Sequence, residues 1–172
     1  IHCISITNQA DISRRLTAYT AVPLYGRSAD NLRDHRNVTS MLHRIRVCDS
    51  GILVKPTMSF DEKGHRPNRR TYYAMGYTGQ GSLPESFYPT VEDFIGEGGT
   101  FTHPRAVYEQ YPGHPPKSRA EGKEAMGAFR FETVSLAPGE TADFIVLLGV
   151  ENEEEEIAAI ARQYCTAEKV KK

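Results

Sequence analysis

AFRFETVSL (128–136), APGET (137–141) and ADFIVLLGV (142–150) form the most informative stretch of the chain, with two β-forming runs on either side of a Pro-Gly corner. Pro138 fixes φ at the first central position of a turn, and Gly139 tolerates the positive φ that a type II turn needs at the second. The stretch therefore predicts a β-hairpin with its turn around Pro138.

The two arms of this hairpin differ in their polarity pattern. Phe129 and Phe131 share one face of the first arm. Val134 and Leu136 fall in the opposite phase, as if one residue were inserted at 132–133, and this indicates a β-bulge. The second arm is apolar on both faces, which is typical of a strand covered on each side, so we expect it to run through the middle of a sheet.

The composition of the whole chain excludes several classes of protein. The 172 residues suit one domain, and 39% hydrophobic with 25% charged residues is typical of a soluble globular protein. A net charge of -1 disfavours nucleic acid and anionic membranes as partners. No apolar run approaches the roughly 20 residues of a membrane span. Three scattered cysteines indicate neither a disulfide framework nor a zinc site, so the cytoplasm is the expected compartment.

Other segments carry weaker structural signals. Residues 38–47 fit either a strand or a short helix, and the aromatic, Pro- and Gly-rich segment 86–116 indicates long ordered loops. Asn152 and the acidic residues after it predict the start of a terminal amphipathic helix. The chain opens inside a strand-like alternation without methionine, so we expect a piece of a longer polypeptide whose upstream strands complete the sheet. Further strands are predicted at 1–7 and 16–24, paired as a hairpin, and at 52–60 and 71–77.

Several motifs favour structural roles over chemistry. The glycines at 96–99 lack the Lys and Ser/Thr of a phosphate loop, which favours an ordinary loop. His35 and His43 have no third donor at a suitable interval, so a solvated or salt-bridged histidine is the better interpretation of each. Three acidic residues of the aromatic segment are Glu92, Asp93 and Glu97. Acidic residues in such a segment more often fasten a loop through hydrogen bonds or ion pairs than act as catalysts.

The sharpest local signal is a loop that mixes basic and acidic residues and has few aliphatic ones. Such side chains can bond to sugar hydroxyls or pair with a carboxylate or phosphate. An internal ion-pair network that fastens the loop is the alternative, and both interpretations stay open. The candidate contacts to carbohydrate or to a partner are Arg27, Asp30, Arg33, Asp34, His35 and Arg36.

The order and spacing of several short motifs carry a resemblance to a known family. FIGEGG (94–99), HP (103–104), AFRF (128–131), VSLAPGE (134–140) and FIVLLG (144–149), with ISITN (4–8) and LTAY (16–19) upstream, resemble the N-terminal supersandwich of family 94 glycoside phosphorylases, such as cellobiose phosphorylase. YGRSADN (25–31), DHR (34–36) and VTS (38–40) resemble the branch that phosphorolyses β-1,2-linked oligoglucans.

The resemblance implies an all-β, antiparallel, galactose mutarotase-like sandwich at 1–150 and the start of a helical linker at 151–172. In the family a six-hairpin helical barrel follows, which carries the general acid, and phosphate attacks the anomeric carbon with inversion to give α-glucose 1-phosphate. No metal or organic cofactor is implied, no catalytic residue of the family can be carried over to this chain, and the chain alone is expected to be inactive.

The expected partners are a β-glucan oligosaccharide and phosphate, reached through the full-length enzyme, and a second copy in a homodimer. In related enzymes the sandwich lends loops to the edge of a partner's active site, and the segments 27–36 and around Gly96 are the candidates for that role. The alternatives are a free-standing carbohydrate-binding module, a mutarotase-like sugar epimerase and a purely structural scaffold.

Overall fold

A computed structural model describes residues 1–26, 36–61 and 64–171, without the side chains of 36, 37 and 59–61. Its strands are β1 (His2–Thr7), β2 (Arg14–Leu16), β3 (Tyr19–Pro23), β4 (Arg44–Cys48), β5 (Gly51–Val54), β6 (Met58–Asp61), β7 (Gly64–Pro67), β8 (Thr71–Thr78), β9 (Ser86–Thr90), β10 (Arg119–Glu121), β11 (Ala125–Arg130), β12 (Val134–Leu136) and β13 (Thr141–Glu151). Its helices are α1 (Arg36–Met41), α2 (Val91–Ile95), α3 (Arg105–Tyr108), α4 (Glu154–Tyr164) and α5 (Ala167–Val170).

The strands form a sandwich of antiparallel sheets, so the predicted all-β class is confirmed, with 43% strand and 18% helix. A six-stranded sheet has the order β1-β13-β8-β5-β4-β10, and a three-stranded sheet has the order β3-β11-β9. The small pairs β12-β2 and β6-β7 complete the structure. Side chains of the two larger sheets meet in one core around Phe129, Phe131 and Phe144.

β13 is covered on both faces, as its apolar sequence predicts. Phe144 and Val146 point into the core between the sheets. Ile145 and Leu147 point the other way, into a second core that α4 closes with Ile157. β13 has β1 on one side and β8 on the other. The C-terminal helix therefore forms an outer layer on the six-stranded sheet.

The turn at Pro138 forms, but the hairpin predicted around it is wrong. Gly139 has φ of 78°, and the Glu140 N–H donates to the Ala137 carbonyl over 3.0 Å, as in a type II turn. However, β12 pairs with β2, and β13 pairs with β1 and β8. The predicted β-bulge is also wrong, because β11 ends at Arg130 and the chain changes sheets before β12. That change of sheet explains why Val134 and Leu136 alternate in the opposite phase to Phe129 and Phe131.

The strands predicted at 1–7 and 71–77 are found as β1 and β8, whereas those predicted at 16–24 and 52–60 are each divided into two strands of different sheets, β2 and β3, and β5 and β6. The predicted hairpin of 1–7 with 16–24 is wrong, since β1 pairs with β13 while β2 and β3 pair with β12 and β11. Residues 38–47 contain both alternatives, most of α1 and then β4. The segment 86–116 is less loop-like than expected, because it opens with the fully buried strand β9 and contains α2 and α3.

The N-cap of the terminal helix lies one residue after the predicted one. Glu153, and not Asn152, is the N-cap of α4, and it forms a capping box with Glu156. Ile157 and Ala161 are buried against the sheet. No helix in the described parts of the chain is both long and apolar enough to cross a membrane.

The residues after α4 are also fastened to the six-stranded sheet. The Lys171 ammonium donates to Asp143 on β13 over 2.8 Å, and the Ser5 hydroxyl on β1 donates to the same carboxylate. The bond from Lys171, followed by that from Ser5, holds the pKa of Asp143 below its ordinary value. The Ala167 N–H donates to the Gly79 carbonyl over 3.0 Å. α5 therefore lies against the edge of the sandwich formed by β1, β13 and the end of β8.

Candidate functional site

Most of the predicted contact loop lies outside the described residues. Arg27, Asp30, Arg33, Asp34 and His35 belong to the segment 27–35, and Arg36 is described only as the first backbone position of α1. The prediction that these residues contact carbohydrate or a partner therefore stays a prediction.

His43 links the described residues on either side of that segment. Its side chain is fully buried, with the Gly26 N–H donating to Nε2 over 3.2 Å and Nδ1 lying 3.3 Å from the Lys123 carbonyl. Because Nε2 accepts, the proton of the neutral ring is on Nδ1 and is donated to Lys123. Burial lowers the pKa of His43. The prediction of a solvated or salt-bridged His43 is wrong, because this imidazole is buried and forms its hydrogen bonds with backbone groups of Gly26 and Lys123.

The second candidate loop, around Gly96, follows α2, a helix that is capped at its N-terminus and closely packed at its C-terminus. At the N-terminus of α2 the Thr90 hydroxyl accepts from the Asp93 N–H over 3.1 Å, and the Asp93 carboxylate accepts from the Thr90 N–H over 3.1 Å. At its C-terminus Gly96 has φ of 84°, and a Cβ there would lie 3.1 Å from the Arg105 side chain. Glycine thus allows α3 to pack closely beside the end of α2.

The acidic residues of this region have separate roles. Asp93 accepts from the Thr90 hydroxyl through Oδ2 and lies 2.9 Å from His114 Nε2 through Oδ1. Glu92 pairs with Lys123 over 3.1 Å. The prediction that these acidic side chains hold neighbouring segments together is confirmed for Glu92 and Asp93. Glu97 is exposed and has no hydrogen bond or ion pair with the described residues, so its carboxylate is available to a ligand.

Arg105 and Tyr111 form the opposite wall. The guanidinium carbon of Arg105 lies 4.1 Å above the centre of the Tyr111 ring, and Arg105 Nε donates to Glu109 over 2.6 Å. The backbone carbonyl of Tyr111 accepts from the buried Tyr88 hydroxyl over 2.8 Å. Burial raises the pKa of Tyr88, in accord with a neutral phenol that donates. The wall is therefore anchored to β9.

These residues line two adjoining cavities of about 370 Å³ each, which we call the α2 cleft. One is bounded by the glycine loop at 96–99 and Glu124, and the other by Asp93, His114 and the Arg105 wall. Five residues line both cavities: Thr90, Glu92, Gly96, Glu97 and Lys123. No group of three or more His, Cys, Asp or Glu able to hold a metal ion occurs in the described ranges.

Three residues of the α2 cleft are missed by sequence reasoning. Arg105 lies on α3, while Tyr111 and His114 lie in the connection between α3 and β10. Nothing in their spacing predicts that they meet α2, since His114 is brought there by mutual backbone bonds between itself and Phe87 on β9. The only sequence signal is the density of aromatic residues within 86–116.

Comparison with known families decides the identity of the chain. Residues 1–167 match the family described as Glycosyl hydrolase 94, supersandwich domain. The chain belongs to glycosyl hydrolase family 94. No match was found among curated proteins. The resemblance to family 94 and the supersandwich fold predicted from sequence are thus confirmed, whereas the resemblance to the β-1,2-oligoglucan branch stays a prediction. The family 94 domain is part of a carbohydrate-active enzyme of the glycoside hydrolase and phosphorylase type.

Proposed function

We propose that this family 94 domain is the non-catalytic sandwich of an inverting glycoside phosphorylase that transfers glucosyl units between β-glucans and phosphate, with α-glucose 1-phosphate as a product. The family match over 1–167 carries this proposal. The resemblance of residues 25–40 to the β-1,2-oligoglucan branch supports that linkage as the substrate. We place the enzyme in the cytoplasm as a homodimer that uses no metal or organic cofactor.

In this proposal residues 1–150 are the sandwich and 151–172 begin the helical linker. The domain supplies the edge of a substrate site and dimer contacts, through the segment 27–36 or the glycine loop at the α2 cleft. The cleft suits an edge better than a complete reaction centre, because Glu92 and Asp93 are already engaged in structural bonds. The general acid then belongs to the barrel.

The test uses the full-length parent enzyme with β-glucans of defined linkage and inorganic phosphate, and glucose 1-phosphate is measured. We expect release from β-1,2-linked oligoglucans and none from this chain alone. Absence of product from every β-glucan would refute the phosphorylase assignment.

The contribution of the segment 27–36 is tested in the same enzyme with Arg33→Ala and His35→Ala. A rise in KM for the glucan indicates a contact at the substrate edge, and loss of the dimer by sedimentation indicates an interface. Leu83→Ala, an exposed apolar position at the end of the β8–β9 connection, is the control. Unchanged KM and unchanged dimer in both variants would exclude the segment from either role.

A mutarotase-like epimerase is a second candidate, favoured by one observation. His114 and Asp93 are hydrogen-bonded at 2.9 Å in the α2 cleft, beside the free carboxylate of Glu97. Exchange of sugar anomers needs a base to take the proton of the anomeric hydroxyl and an acid to protonate the ring oxygen. Polarimetry of fresh α-glucose with this chain tests the idea. A rate equal to that of buffer, or one unchanged in Glu97→Gln and His114→Gln, rules it out.

A further inference from the structure

Three exposed aromatic residues follow or surround in sequence the cleft-lining residues Gly99 and Arg105, and we call them the α3 platform: Phe101, His103 and Tyr108. Phe101 is 50% exposed and Tyr108 is 60% exposed. The rings of His103 and Tyr108 are stacked, with centres 3.7 Å apart and planes inclined by 16°. Soluble proteins bury most large apolar side chains, and clustered exposed ones mark binding surfaces.

The fold holds the α3 platform outward on a rigid base. A tight turn, closed by the His103 N–H donating to the Thr100 carbonyl over 3.2 Å, carries Phe101 near its tip. Tyr108 is the last residue of α3, whose Ala106 is fully buried against α2 in a third core. The platform is thus positioned by packed elements, so little conformational entropy is lost when a ligand binds.

Charge in the adjoining α2 cleft favours a neutral ligand over an anion. Its lining contributes four carboxylates, those of Glu92, Asp93, Glu97 and Glu124, against the permanent cations Lys123 and Arg105. Lys123 is paired with Glu92, and Arg105 with Glu109. A phosphate would therefore meet excess negative charge and no free cation among the described lining residues.

The same lining suits a ligand rich in hydroxyl groups. The unpaired carboxylate of Glu97 can accept hydrogen bonds from two neighbouring hydroxyls. The remaining groups add to this, because Lys123 carries further N–H groups besides the one bonded to Glu92, and His114 has a second ring nitrogen besides the one that lies against Asp93. An apolar surface next to a few polar groups is the usual composition of a small-molecule site.

We propose that the α3 platform and the α2 cleft together bind a neutral glucan segment of several sugar units. A pyranose ring lies on the exposed aromatic faces, and Glu97 accepts hydroxyls of the next unit. All of the residues that form the proposed site belong to this chain. The choice of a glucan as the sugar rests on the proposed function, whereas the stacking surface does not.

The test is calorimetric titration of this chain with β-linked gluco-oligosaccharides of three to five units. We expect measurable, millimolar or tighter, binding. Tyr108→Ala and Phe101→Ala should each weaken it about tenfold, the scale of a stacked ring together with its buried area. Glu97→Gln should weaken it less, because the amide keeps an acceptor. Tyr108→Phe is the matched control, and it should bind like the parent chain.

Several results would overturn the proposal. These are no heat with any oligosaccharide, equal affinity in Tyr108→Ala, or binding that is lost instead in Tyr25→Ala, a 42% exposed aromatic residue beside the segment 27–36. Concentration-dependent sedimentation abolished by Tyr108→Ala would assign the platform to a second copy of the chain. Circular dichroism confirms that each variant is folded.

The proposed glucan site and the proposed phosphorylase activity can be refuted independently of each other. Phosphorolysis by the parent enzyme without glucan binding at the platform refutes only the binding site. Glucan binding here without release of glucose 1-phosphate refutes only the phosphorylase.

Discussion

The buried imidazole of His43 makes stability depend on pH. Burial lowers the pKa of His43 below the ordinary value of 6.5, so the native state binds fewer protons than the unfolded state between the two values. Stability must therefore rise with pH across that window. The contribution of neutral His43 is complete above pH 6.5 and is lost as the pH falls through the lowered native pKa.

We predict that His43→Ala unfolds more easily by about 2–4 kcal/mol at pH 7.5, because it leaves a cavity and removes the acceptor of the Gly26 N–H. The difference from the parent chain should shrink toward pH 5, where the parent loses the same contribution. Urea denaturation at several pH values measures both effects. His2→Ala, an exposed histidine on β1, is the control. A difference that stays constant with pH would contradict the buried neutral state.

At the level of elements, a glycine of one sheet faces an aromatic ring of the other. A Cβ added to Gly76 on β8 would lie 2.1 Å from the ring of Phe129 on β11. Backbone and ring cannot both stay in place, so the buried ring or one of the strands would have to shift.

We predict that Gly76→Ala destabilises the domain by about 1–3 kcal/mol and that Phe129→Leu partly rescues it, because the smaller side chain makes room. The double variant should be more stable than the sum of single effects by at least about 0.5 kcal/mol. Thermal unfolding of all four proteins measures this coupling. Gly64→Ala is the comparison, because no atom lies within 4 Å of a Cβ added there. It measures the cost of alanine at a φ of 98° without a steric clash, and Phe129→Leu should not rescue it. Strictly additive effects would show that the two sites do not touch.

The positions of strands could be predicted much better than their partners. Apolar alternation locates β1, its β-forming residues locate β8, and a run that is apolar on both faces locates β13, because such patterns are typical of strands. They do not report which strand lies alongside, and proximity in sequence was the wrong guide at Pro138, where a true type II turn joins strands of different sheets. The site was harder still, since His114 reaches Asp93 only through the pairing of its segment with β9.

At the level of the whole molecule, α4 belongs structurally to the sandwich even if it also begins a linker. Ile157 is 1% exposed and packs on the outer face of the six-stranded sheet. Without that cover, Ile145 and Leu147 would be exposed to water on the same face. Removing α4 should therefore expose a hydrophobic core and destabilise the sandwich.

We predict that Ile157→Ala lowers the free energy of unfolding by about 2–5 kcal/mol, through the lost methyl groups and the cavity they leave. Differential scanning calorimetry should show a single transition at lower temperature. Arg162→Ala, on the exposed side of the same helix, should change stability by less than about 0.5 kcal/mol. An unchanged transition in Ile157→Ala would instead place α4 with the linker, outside the cooperative unit.

A glycine of the six-stranded sheet also determines how β13 aligns with β8. Both faces of β13 are apolar, so a slip by one residue would still bury apolar side chains, and polarity alone does not exclude it. Gly149 lies opposite Tyr73, whose hydroxyl would be 2.3 Å from a Cβ at Gly149. A slipped strand would present a side chain to Tyr73 where only a hydrogen atom fits. The correct alignment is thus specified by one missing side chain.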